Sequence, residues 1–152
     1  MDETRDEHFM RLALRLAQEA SAEGEVPIGA IVVKDGEVVA SGRNRRETGK
    51  TALGHAELEA IGNACRVLGG WRLWQCELYV TLEPCPMCAG AIINARIPRV
   101  VFGASDPKAG SCGSVVNLFE LPYNHKPEVV RGVLADESAA LLSDFFRQLR
   151  KK

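Results

Sequence analysis

Two short motifs constrain this chain more than anything else in it: His55-Ala-Glu57, and Pro84-Cys85-Pro86-Met87-Cys88. Cys85 and Cys88 stand three apart at an expected helix start. That spacing puts both sulfurs on one face, about one turn apart, where they can hold one ion. His55 stands at a second expected helix start. For the three to act together, two helix N-termini must converge on one point, where their partial positive ends stabilise thiolates. Two sulfurs and an imidazole are borderline-soft donors that suit zinc, and three protein ligands leave the fourth tetrahedral position open, as catalytic zinc centres do. Two thiolates cancel the charge of the ion, so a base beside its water would help. Glu57 supplies one. Residues two apart on a helix do not face each other, so Glu57 is better placed to work on water than to join His55 on the metal. Cys-x-x-Cys alone also marks structural half-sites and redox pairs; the upstream His-x-Glu is what points to catalysis.

The remaining composition sets few limits beyond the ordinary. With 152 residues, 46% hydrophobic and 26% charged, one globular domain over residues 1–152 is expected. No run of 18 apolar residues occurs, so no membrane span is expected. The polar, acidic start lacks the pattern of a secretory signal, and a cytoplasmic location follows as the expectation. Five cysteines in a reducing compartment read as ligands, nucleophiles or core residues rather than bridges. Cys65 and Cys76 are expected inside, as are Trp71 and Trp74; Cys112 falls in a loop. The net charge of −1 argues weakly against nucleic acid. That sum is an average, however. Residues 1–25 hold seven acids against three arginines, which leaves the rest net positive. Arg43, Arg45, Arg46 and Lys50 cluster in one segment, and Arg147, Arg150, Lys151 and Lys152 close the chain.

Periodicity gives the order of elements. Phe9, Leu12, Ala13, Leu16, Ala17 and Ala20 mark an amphipathic first helix ending near Gly24. Two β-branched runs around Asp35-Gly36 read as a hairpin, followed by a basic loop over 42–54. A helix over 55–68, a buried strand over 77–82, a helix to about Ala95 and a strand over 99–103 come next. A Gly/Ser-rich loop over 104–115, a fifth strand over 128–133 and a helix starting near Ala135 complete the chain. This α-β-β-α-β-α-β-β-α order predicts a mixed sheet with helices on both faces.

The paired motifs resemble the signature of the cytidine deaminase superfamily of zinc nucleobase deaminases. Longer stretches, Leu78 through Ala91, Val101-Phe-Gly-Ala-Ser-Asp-Pro-Lys108, Asn124-His125 and Leu134 through Phe146, are similar to bacterial tRNA-specific adenosine deaminases. The resemblance covers about Phe9 to Arg150, with Gly54 standing where that family more often has Ala. It implies an α/β/α sandwich around a mixed five-stranded sheet, a homodimer, and conversion of the wobble adenosine (position 34) of a tRNA anticodon stem-loop to inosine. In it His55, Cys85 and Cys88 hold one zinc ion per subunit with water in the fourth position. Glu57 moves a proton from that water to adenine N1 as C6 is attacked, then helps ammonia leave. Asn44, Asp106, Lys108, Asn124, Phe145, Phe146 and Arg147 match substrate-contact regions, His125 less so. Adjacent phenylalanines on one helix cannot both face one core: one stacks on a base, or both pack in a core or interface. The same signature serves enzymes of free bases such as guanine or cytosine, and a zinc-stabilised binding module with Glu57 idle is a third reading.

Overall fold

The computed structural model describes residues 3–151. Its elements run α1 (Arg5–Ala22), β1 (Gly29–Lys34), β2 (Glu37–Arg43), α2 (Ala56–Leu68), β3 (Cys76–Leu82), α3 (Pro86–Ala95), β4 (Arg99–Ala104), β5 (Glu128–Val130) and α4 (Ala135–Arg150). One five-stranded sheet has the order β2-β1-β3-β4-β5. β1 is antiparallel to both β2 and β3, while β3, β4 and β5 run parallel. The result is the expected α/β/α sandwich with a mixed sheet.

The central strands read as unbroken apolar runs because both of their faces are covered. Ala30, Val32, Leu78, Val80, Val100 and Phe102 point into a core shared with α2 and α3. Their neighbours Ile31, Val33, Tyr79 and Val101 point the other way, onto Phe9, Met10, Ala13 and Leu14 of α1, with Leu141 of α4 packed alongside. Thr4 and Glu7 form a capping box that fixes the start of α1. Asp35 and Gly36 both have positive φ, as a two-residue hairpin turn requires. Gly42 lets β2 press on α2: a Cβ there would lie 2.6 Å from Ala60 N.

Three features differ from expectation. The fifth strand stops at Val130, because Gly132 (φ 81°) and Leu134 (φ 54°) turn the chain into α4. The loop after β4 contains a 3-10 turn, Leu118–Glu120, capped by the Asn117 side chain and seated by buried Phe119. Trp71 and Trp74, expected in the core, are 50% and 61% exposed. They follow Gly69, the left-handed C-cap of α2, in the connection that precedes β3, and Trp71 carries the guanidinium of Arg72 over its ring at 4.3 Å. No helix among the described residues is long and apolar enough to cross a membrane.

Candidate active site

Three donors meet where α2 and α3 begin. His55 is the N-cap of α2 and Cys85 the N-cap of α3; both have extended backbone, and neither spends its side chain on a cap hydrogen bond. Pro86 occupies the first turn of α3, where no amide donor is needed. His55 Nδ1 lies 3.6 Å from Cys85 Sγ and 3.5 Å from Cys88 Sγ, and the three donor atoms all fall within 4.8 Å of one another. With metal–sulfur bonds of about 2.3 Å and metal–nitrogen bonds of about 2.0–2.1 Å, a tetrahedral ion sets S and N ligands about 3.6 Å apart. The cluster therefore has the dimensions of a tetrahedral site with one position to spare.

Its electrostatics agree. A hydrogen bond from Cys88, aided by His55, pushes Cys85 down to about 4, so it is a thiolate at neutral pH. Cys88, bonded to that thiolate and buried, is pushed far up. His55 is raised, chiefly by its bond to Cys85. One proton is thus held between two sulfurs, and a divalent cation is what lets both be thiolates together. Glu57 stands beside them, 5% exposed. Burial pushes its carboxyl up to about 7, and the charge on Cys85 adds to the rise. A buried carboxyl beside the cluster is placed to take and return a proton. The group opens into a cleft of about 700 Å³, lined by His55, Glu57 and Cys85 together with Arg46, Asp106, Lys108 and Phe146.

This geometry has close counterparts. The profile of a family described as MafB19-like deaminase matches residues 4–150. The tRNA-specific adenosine deaminase of Bacillus subtilis (strain 168) is 53% identical over 150 residues, 98% of this chain and 93% of the relative. That of Agrobacterium fabrum is 49% identical over 144 residues, 94% and 95% of the two chains. The chain belongs to the tRNA-specific adenosine deaminase family. A solved structure from work on A-to-I editing by tRNA:A34 deaminases superposes with a TM-score of 0.86 at 48% identity, covering 89% of this chain and 99% of the other. The guanine deaminase of Nitrosomonas europaea gives 0.81 at 27% identity, over 91% and 83%.

The residues that match the family's substrate-contact regions divide by position in this deaminase. Asp106 and Lys108 reach the cleft, but the Asp106 carboxylate is turned onto its own loop, accepting from Lys108 N at 3.0 Å and Ala109 N at 3.3 Å. Phe146 lines the cleft and is 41% exposed. Phe145 is half-buried and meets it edge-on, with ring centroids 5.4 Å apart. Asn44 is buried, donating to Val26 O at 3.4 Å, and does not line the cleft. Asn124 is exposed and does not line it either; its neighbour His125 places Nε2 2.7 Å from Ile97 O, just before β4 begins. Arg147 is exposed and paired with Asp144 at 2.9 Å. Lys152 lies outside the described residues. Within the basic loop, Arg43 is tied to Glu19 and Glu23, and Arg45 to Glu59, which leaves Arg46 as the one of these three that lines the cleft. Gly54 packs against the loop, where a Cβ would lie 2.9 Å from Arg45 O. Cys112 is fully buried beside Phe119 in the core, outside the three-donor cluster.

Two buried acids beside the cleft escaped sequence reasoning. Glu83, 2% exposed, accepts from the N–H groups of Asp106, Cys112 and Ser114, each at 3.0 Å, and from the Ser114 hydroxyl. Glu25, 1% exposed, accepts from Glu47 N at 3.1 Å and Thr48 N at 2.6 Å. Burial opposes ionisation of both, yet these donors outweigh it and hold both carboxyls below the usual range. Their local sequence shows only that each adjoins a buried stretch, where a charge must find donors or be expelled; the donors themselves are not written there.

Proposed function

We propose that this chain is a zinc-dependent hydrolase that converts adenosine to inosine at the wobble position, 34, of a tRNA anticodon, consuming water and releasing ammonia. The observation that carries the reading is the His55–Cys85–Cys88 cluster with Glu57 beside it, opening into the cleft of a chain 53% identical to a tRNA-specific adenosine deaminase. His55, Cys85 and Cys88 would hold the ion. Zinc bound there lowers the pKa of a coordinated water toward neutrality, supplying a nucleophile at working pH. Glu57 would do the proton work: it would take one proton from the water and deliver it to adenine N1, then take the second from the new C6 hydroxyl and pass it to the departing amine as the C6 carbonyl of inosine forms. The flipped base stacks against apolar cleft walls, for which Phe146 offers a ring face. Asp106, Lys108 and Arg46 stand where the neighbouring nucleotides and phosphates would pass. Asn44, Asn124, Phe145 and Arg147 remain part of the proposal through the family resemblance. Asn124 stands away from the cleft of its own chain and enters on the resemblance alone, and a homodimer working in the cytoplasm completes the reading.

The guanine deaminase likeness keeps a free-base substrate as the competing reading. Purified protein is incubated with an anticodon stem-loop bearing A34 and, separately, with adenosine, guanine and cytosine. Inosine in the stem-loop with one ammonia per inosine, at about one zinc per chain, is expected. Turnover of guanine with an inert stem-loop would refute the tRNA reading.

A further inference from the structure

We propose that Glu83 is a positioning and specificity residue: its buried carboxylate latches the loop over residues 105–114, and so fixes the cleft wall that meets the nucleotides beside the target adenosine. The proposal rests on the tRNA reading above. Glu83 follows Leu82, the last residue of β3, and is separated from the ligand Cys85 by Pro84 alone. Its two oxygens gather all four of their donors from one loop: three backbone N–H groups at 3.0 Å and one hydroxyl. Backbone bonds run beside them, from Ser111 N to Pro84 O at 2.8 Å and from Glu83 N to Ala104 O at 2.9 Å. Loop and ligand segment therefore form one strut.

The loop closes on the carboxylate without slack. A Cβ at Gly110 would collide with the Glu83 carboxylate, so only glycine lets the chain wrap it this tightly. Asp106, Pro107, Lys108 and Ala109, which line the cleft, lie between the anchored positions 106 and 112. The Asp106 carboxylate braces the same span from within, through the N–H groups of Lys108 and Ala109. The proton chemistry has no use for Glu83, whose lone pairs are committed to donors. What the four bonds do is set the shape of a wall. An amide at this position keeps one oxygen and turns an NH₂ group toward N–H donors, so Glu83→Gln unlatches part of the loop while preserving volume.

Steady-state deamination is measured for zinc-loaded wild type, Glu83→Gln, Gly110→Ala and Ser114→Ala on A34 stem-loops. The set includes one parent sequence and versions changed at the nucleotides flanking A34. For Glu83→Gln and Gly110→Ala the expected result is zinc near one per chain and a KM raised at least tenfold on the parent. Their kcat stays within threefold of wild type, and their discrimination among flanking nucleotides is flattened. The double variant is no worse than the worse single one, because both break the same latch. Ser114→Ala removes one donor without adding bulk and moves KM the same way by less; it decides the matter where the others fail to fold. Unchanged KM and discrimination would overturn the proposal. So would a fall in activity that tracks lost zinc, since Glu83 would then serve the metal ligand rather than the loop. A wild-type protein inert on every stem-loop would instead refute the functional reading, and that arm is separate from the variants.

Discussion

Glu57 and Glu83 are both buried acids, each two residues from a member of the same three-donor cluster, and they are driven in opposite directions. Glu57 is raised to about 7; Glu83 is held below the ordinary carboxylate value of 4.5. Burial acts against the charged form of each. The difference lies in what faces the oxygens. Glu83 is met by four donors from a single loop, whereas Glu57 has the negative sulfur of Cys85 nearby. A buried carboxylate met by four donors from one loop becomes a structural anion, and one whose few donors are outweighed by burial and a negative neighbour becomes a proton carrier.

The largest effect should come from removing the proton carrier. Glu57→Gln is expected to lower kcat on the A34 stem-loop by about 10²–10⁴-fold, with zinc content unchanged by metal analysis. Cys88→Ser, by contrast, should lose both metal and activity, and added zinc should not restore it. Full activity in Glu57→Gln would erase the functional half of the comparison.

A stability measurement then tests the electrostatic half. Glu57 has a folded pKa of about 7 against 4.5 for an ordinary glutamate, so between those values the folded state binds more protons than the unfolded. Stability of metal-free protein must fall as pH rises through that window and stay low above it. Metal-free Glu57→Gln should therefore be more stable than wild type at pH 8, by on the order of 2–3 kcal/mol. The gain should vanish below pH 4.5, read as urea midpoints. A variant that loses activity and gains stability would identify strain stored for function.

Glu83→Gln should give the opposite sign. One charged oxygen and the bonds it accepts are lost, at a cost of about 2 kcal/mol. Glu83 is depressed, so its contribution is complete above pH 4.5 and fades as pH falls through the lower folded value. The wild-type advantage over Glu83→Gln should thus hold at pH 6–8 and shrink in acid. Equal midpoints at pH 7 would show that the loop bonds do not stabilise the fold.

The contrast also marks what was legible in the sequence. The central strands were, because continuous apolar runs such as Leu78-Tyr79-Val80 belong where both faces are covered. The three-donor cluster was, because Cys85 and Cys88 are related by the fixed geometry of one helical turn, and His55 by a second helix start. Glu83 and Glu25 were not, since their character depends on donors that arrive from loops more than twenty residues away. The basic loop misled for the same reason: a charge tally does not show that Glu19, Glu23 and Glu59 already engage Arg43 and Arg45. Hydrophobicity alone places Trp71 and Trp74 inside, and it does not say on which side of a connection a ring will lie.

Glu25 offers the finest test, because it repeats the Glu83 arrangement with fewer donors. Its oxygens each take one backbone N–H, from Glu47 and Thr48, with the Thr48 hydroxyl adding to the depression, whereas each Glu83 oxygen takes two donors. An amide at position 25 keeps one acceptor, so Glu25→Gln strands a single N–H, where Glu83→Gln strands two donors or forces the Ser114 hydroxyl to turn away. If these anions stabilise through the bonds they accept, the costs should scale with that count, about 1 kcal/mol for Glu25→Gln against about 2 for Glu83→Gln. The pH sign is shared: Glu25 is also depressed, so its contribution should be full above pH 4.5 and decline in acid. The segment it holds leads into the cleft at Arg46, adjacent to Glu47. KM for the stem-loop should therefore rise by a few-fold at most, with kcat unchanged. Equal costs for the two variants would mean that burial, rather than the number of donors, sets what a latched carboxylate contributes.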